Sequence, residues 1–177
     1  MDHGGPHGPP VTERGTENAH RGFGMVIHEM TEGECHNALE RASFGRLACA
    51  RDNQPYVVPI YFSYDGRQLY GFSTLGQKIE WMRSNPLVCF EIDEWTSRYE
   101  WMSVVVCGRY EELPDTPEFA AARVQAHEAL QKRGRWWEYT AVPGAEWRRK
   151  PGPFASIFYR IHITAMTGHR ATPTASP

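Results

Sequence analysis

Two β-rich runs, YVVPIYFSY (56–64) and RQLYGFST (67–74), stand on either side of Asp65-Gly66. β-Branched and aromatic side chains suit a pleated, half-buried surface. Aspartate offers a side-chain acceptor and glycine a left-handed φ, the two things a tight reversal needs. The pattern predicts an antiparallel hairpin, and its neighbours extend it. GRLACAR (45–51) comes before it across a turn at Asp52-Asn53-Gln54-Pro55; PLVCFEID (86–93), EWMSVVVCGRYEEL (100–113) and PFASIFYRIHITAM (153–166) come after. Six or so strands with hairpin connections point to an α+β chain, mainly β: an antiparallel barrel with peripheral helices. Regular alternation of strands and helices, the mark of a parallel sheet, is missing.

Three helices are expected around that barrel. Thr31-Glu32-Gly33-Glu34 has capping-box form, and Cys35, Ala38, Leu39 and Ala42 then recur at helical spacing, giving a helix over roughly 32–42. GQKIEWMRSN (76–85) reads as a brief helix with Ile79 and Met82 inward, stopped by Asn85-Pro86. Thr116-Pro117-Glu118 opens a third, with Phe119, Ala122, Ala126 and Leu130 on one face and a stop near Gly134.

The chain has 177 residues, 41% of them hydrophobic, enough for one core. Residues 1–24 hold six glycines, three prolines and three histidines, so they are expected to form a disordered tail. The ending ATPTASP (171–177) reads the same way, which leaves 25–170 as the folded domain. A net charge of −2 gives no broad basic field for nucleic acid or an acidic membrane. No apolar run is long enough to span a bilayer, and the N-terminus lacks the apolar core of a secretion signal. Cys35, Cys49, Cys89 and Cys107 show no metal-ligand spacing and read as reduced thiols in a cytoplasmic protein.

The stretch YGFSTLGQKIEWMRSNP (70–86) holds the most chemistry. A strand hands over to a helix there, and Ser73, Thr74, Gly76, Gln77 and Lys78 sit at the junction. One reading is a helix cap followed by a solvated lysine. The other is an anion seat: unpaired helix N–H groups, two hydroxyl donors, a glycine for close backbone approach and one full positive charge. GxxxxGK[ST] is absent, so this is no Walker A loop.

The order GRLAC…QPYVVPIYFSYDG…LYGFSTLGQKIEWMRSNPLVCFEID…SVVVCGRYEEL resembles the pyridoxamine 5′-phosphate oxidase-like family of FMN-binding split β-barrels, nearest its nitroimidazole-reductase (Nim-type) branch. The likeness runs from about Met25 to Leu113 and resumes near 154–168. It implies flavin along the second strand, at Val58, Pro59, Ile60 and Tyr61. It further implies phosphate and ribityl contacts at Phe72, Ser73, Thr74, Gln77 and Lys78. A two-fold partner would add Trp101, Met102 and Ser103. The chain departs from pyridoxamine phosphate oxidases at Val57-Val58-Pro59 and in its ending IHITAMTGHR, and from several Nim-type proteins at Gly71, where they carry histidine.

The activity implied is that of an FMN-dependent homodimeric oxidoreductase: hydride passes from a reduced nicotinamide, NAD(P)H, through flavin to a small acceptor. No side chain is expected to be indispensable as acid or base, because the cofactor carries the chemistry. The alternative is a flavin-, deazaflavin- or haem-binding store or sensor without turnover, with His162 or His169 as candidate axial ligands. Trp136, Trp137 and Trp147 with Arg135, Arg148 and Arg149 form either a lid over the flavin or plain aromatic packing with solvated arginines. Tyr61 and Tyr64, three apart, are expected on opposite faces of one strand, and Glu111 and Glu112 point opposite ways, so they make no carboxylate dyad.

Overall fold

The computed structural model describes residues 24–132 and 157–174. The tail before 24, the tryptophan- and arginine-rich segment 134–153 and residues 175–177 lie outside them.

Among the described residues, eight strands form one antiparallel sheet: β1 Met25–Glu29, β2 Phe44–Arg51, β3 Gln54–Tyr61, β4 Ser63–Tyr64, β5 Gln68–Ser73, β6 Leu87–Ser97, β7 Glu100–Leu113 and β8 Ile157–Pro173. Their order is β3-β2-β6-β7-β8-β5-β4, with β1 added beside the far half of β8. The sheet coils until β3 comes alongside β5, yet no ladder joins them, so this is a barrel left split. Leu47, Phe62, Phe90, Val104, Val106 and Tyr159 fill its interior, each at most 1% exposed.

Two turns show how residue chemistry fixes this path. Asp52 and Asn53 both adopt positive φ, 51° and 61°, and close β2 onto β3 with two residues. That is the reversal whose twist matches the strands. The turn is therefore shorter than the expected four residues, and Gln54 and Pro55 already belong to β3. At the second turn Gly66 takes φ 92°, while Asp65 Oδ1 accepts the N–H groups of Arg67 and Gln68, both at 3.0 Å. The hairpin predicted there forms. Phe62 breaks the preceding run, so Tyr61 and Tyr64 sit on two strands, one 42% exposed and the other 6%.

Helix α1, Glu32–Arg41, carries the full capping box, and its Cys35, Ala38 and Leu39 are buried. Helix α2, Gln77–Ser84, buries Ile79 and Met82 as expected, and Trp81 as well. Helix α3, Ala120–Gln131, packs Ala126 and Leu130 with Tyr70 and Leu113 in a second, smaller cluster outside the barrel. Its start differs from expectation: Thr116 makes no side-chain cap, and Pro117–Phe119 form a 3-10 turn first. The N–H of Phe119, a donor that a capping hydroxyl would meet, donates to the Thr116 carbonyl instead, at 3.1 Å. The chain's end differs too. Residues 171–173 belong to β8, and Ala171 is 1% exposed because β1 and β7 flank it. Ladder pairing with β1 overrides a composition that reads as a tail.

Candidate functional site

At the β5–α2 junction the N-cap of α2 is Gly76, which has no side chain to offer, and no side-chain cap bond forms. Thr74 is exposed, and Ser73 Oγ donates instead to the Thr74 carbonyl at 3.0 Å. Neither hydroxyl serves the helix, so a plain cap does not account for them. The first N–H groups of α2 are left for an outside acceptor. A Cβ built on Gly76 meets nothing within 4 Å, so the approach is open. Its φ of 175° is ordinary extended backbone. What glycine supplies here is space.

Lys78 follows, half-buried against β2. Burial pushes its pKa down, and the nearest titratable neighbour is the buried thiol of Cys49. No carboxylate pairs with it among the described residues. The contrast with the last turn of the same helix decides the reading. There Arg83 makes two 2.7 Å bonds to Glu112, which draws the Glu112 carboxyl below its usual range. Among the described residues, the fold pairs one cation of α2 with a carboxylate and leaves Lys78, in the first turn, without one. A part-desolvated charge without a partner is costly unless something anionic meets it.

The other strand expected to contact flavin, β3, is one edge of the sheet. The two-residue turn makes Arg51 and Gln54 a hydrogen-bonded pair, and alternation then turns the backbone groups of Tyr56, Val58 and Ile60 toward β2. Pro55, Val57, Pro59 and Tyr61 face the open edge. Two prolines on that side block a further strand from docking, and the carbonyls of Val57 and Pro59 lie outside the β2 ladder. Ile60 is buried in the core, Val58 packs partly against it, and Phe72 meets Phe158 in a tilted ring contact with centroids 5.3 Å apart. Of the expected flavin contacts, these three are held by the fold itself. Pro59 and Tyr61 lie at the edge, and Gln77 is exposed at the helix start.

Trp101, Met102 and Ser103 stand elsewhere. Ser73 pairs with Ile157 and Ser103 with His169, twelve residues apart on β8, or about 40 Å of extended strand. One copy of the chain does not bring these groups together. Met102 is also 2% exposed, so its side chain serves the core, whereas Trp101 and Ser103 are half-buried and face outward.

Other expectations resolve locally. Glu111 and Glu112 diverge, the first to Arg160 at 2.5 Å and His162 at 2.8 Å, the second to Arg83. His162 is thus engaged, and His169 is exposed on β8. His36 is half-buried and its Nδ1 bonds the Tyr64 hydroxyl, whose pKa burial pushes up to about 12. A Cβ at Gly71 would lie 2.2 Å from the ring of Tyr159, its cross-strand partner, which excludes any larger residue at that position.

Comparison with known proteins follows the same lines. A family model described as pyridoxamine 5′-phosphate oxidase matches residues 31–170. A Rhizobium meliloti (strain 1021) protein known as RA0666 is 43% identical over 147 residues, 83% of this chain and 97% of that one. A crystal structure of a FAD-binding protein, mll6688 from Mesorhizobium loti, is 42% identical, with a TM-score of 0.67 over 84% of this chain and 99% of that one. A Bacteroides thetaiotaomicron structure, described as a candidate 5-nitroimidazole antibiotic resistance protein, superposes with a TM-score of 0.60 over 86% of this chain and 93% of its own; at 17% identity it shows the shared fold alone. With the family model spanning most of the chain, and two relatives matched over nearly their whole length, the chain belongs to the pyridoxamine 5′-phosphate oxidase family.

Proposed function

We propose that the protein is a flavin-dependent oxidoreductase, with FMN as cofactor, a reduced nicotinamide as electron donor and a small oxidised molecule as acceptor. Lys78 carries this reading: a half-buried cation without a carboxylate partner among the described residues, beside a helix start that has no side-chain cap. A phosphate monoester supplies what both lack, two negative charges and several acceptor oxygens. Family membership supports a flavin, as does the description of the Mesorhizobium loti relative as FAD-binding.

A bound flavin would supply the two-electron chemistry. The chain's own share is to hold and orient. Lys78 and the N–H groups of Gln77 and Lys78 would fix the phosphate, with the Ser73 and Thr74 hydroxyls beside it. The outward carbonyls of Val57 and Pro59 would face the ring edge. Trp101 and Ser103 would come from a second copy and cover the ring from water.

Titration of the wild type and Lys78→Ala with FMN, FAD and riboflavin, read by flavin fluorescence, tests the assignment. Lys78→Ala should weaken FMN by about 1.5–3 kcal/mol, the worth of a charge-assisted bond. Riboflavin should bind weakly to both proteins. Equal losses for FMN and riboflavin would remove the phosphate seat, and tighter binding of FAD than of FMN would replace the mononucleotide with the dinucleotide. Anaerobic NADPH should bleach the bound flavin; no bleaching would remove the nicotinamide as donor.

A further inference from the structure

Cys89 on β6 and Cys107 on β7 stand directly opposite each other in the antiparallel ladder. Both point to the outer face of the sheet, since their neighbours Val88, Phe90 and Val106 fill the core. Cys107 is exposed and Cys89 half-buried. Directly opposed residues have Cα atoms about 4.5–5.5 Å apart. A disulfide spans about 4.4–6.8 Å between Cα atoms, so no strand has to travel for these sulfurs to join. The Cβ atoms must still close slightly. Just past Cys107 the β7–β8 register slips, leaving Thr164 of β8 without a partner in that ladder.

The pair also has an entry. It lines an open groove of about 420 Å³ whose other walls include Ala48, Ala50 and Thr164. These side chains are small, so a low-mass reagent can reach the exposed thiol. Cys35 and Cys49 are different: both are buried, at 2% and 5% exposure; Cys49 reaches the wall of the same groove but pairs with Tyr56 and Val88, and Cys35 lies on α1.

We propose that Cys89 and Cys107 form a thiol–disulfide exchange site, taking a low-molecular-weight disulfide of the glutathione type as oxidant. The Cys107 thiolate attacks one sulfur of that disulfide, forming a mixed disulfide and releasing one thiolate, which takes up the proton Cys107 lost. The Cys89 thiol then loses its proton and attacks Cys107 Sγ. The Cys89–Cys107 bond forms, the mixed disulfide breaks, and the second small thiol leaves with that proton. The protein dithiol is oxidised by two electrons and one small disulfide is reduced to two thiols.

Full-length protein incubated with oxidised glutathione, then alkylated and mapped without reduction, gives the test. The wild type should lose two hydrogens in intact mass and yield a Cys89–Cys107 linked peptide that dithiothreitol reverses. Cys89→Ser should stop at a glutathione adduct on Cys107, and Cys107→Ser should form neither product. The site is overturned by a wild-type adduct on Cys107 that never resolves, by a link through Cys49 or Cys35, or by no reaction at all.

Discussion

Position 76 separates what a backbone needs from what a ligand needs. Its φ of 175° suits any residue, and nothing in the fold occupies the space over it. A Cβ there meets no atom of the described residues within 4 Å, and exchanging glycine for a β-branched residue at an N-cap costs about 1 kcal/mol. It would, however, stand over the N–H groups that the anion is to meet. Gly76→Val should therefore unfold within about 1 kcal/mol of wild type as apoprotein, yet bind FMN at least tenfold more weakly. Thr74→Ala, which removes one exposed hydroxyl, should lose less. Thermal unfolding of the ligand-free variants beside FMN titration checks this, and normal FMN binding by Gly76→Val would reduce the junction to a helix start. Glycine, lysine and two hydroxyls at one strand end were legible in the sequence. The missing cap and, among the described residues, the missing carboxylate beside Lys78 were not, because both depend on which groups the rest of the fold brings close.

Between elements, the Arg83–Glu112 bond ties the last turn of α2 to β7, and Tyr110 adds its hydroxyl to the same carboxylate at 3.0 Å. The Glu112 carboxyl is held below its ordinary value of 4.5, chiefly by Arg83. Its contribution to stability is thus complete above the unfolded-state pKa and fades as pH falls through the lower folded value. Glu112→Gln should cost about 1 kcal/mol at neutral pH, the scale of a part-exposed pair with good geometry. Denaturant unfolding across pH should show wild type and variant converging below the unfolded-state value. A gap that stays constant down to acid pH would mean that the ion pair is not its source. The elements themselves were largely readable, since Asp65-Gly66, the Thr31 capping box and Asn85-Pro86 each act within a few residues. β1 was not, because all five of its residues are exposed and no alternation marks it. The Cys89–Cys107 pairing escaped for another reason. Thr96 has no partner in the β6–β7 ladder, and without that extra residue Cys89 would face Gly108.

At the scale of the whole molecule, the sheet separates groups that the family resemblance assigns to one site. The β5–α2 junction and Ser103 lie at opposite ends of β8, so the set closes only if a second copy brings its own β7 to the first copy's junction. Two-fold symmetry then gives two equal sites, each using Lys78 of one chain and Ser103 of the other. No spacing in the sequence reveals this, because a residue's number does not say which copy it serves. The free protein should accordingly be a stable dimer burying more than ~1,200 Å². Sedimentation of the flavin-loaded protein should show the pair, and a mixture of Lys78→Ala with a Ser103→Trp variant gives a sharper reading. Each variant alone has both sites damaged, one by a lost charge and the other by an intruding ring. In a mixed dimer, one site pairs an intact Lys78 with an intact Ser103, while the other collects both defects. Unfolding and refolding the two variants together should therefore restore up to about one FMN per mixed dimer, as the symmetry requires. If the mixture binds no better than the separate variants, or a lone chain holds flavin fully, then residues 101–103 do not serve a partner's site.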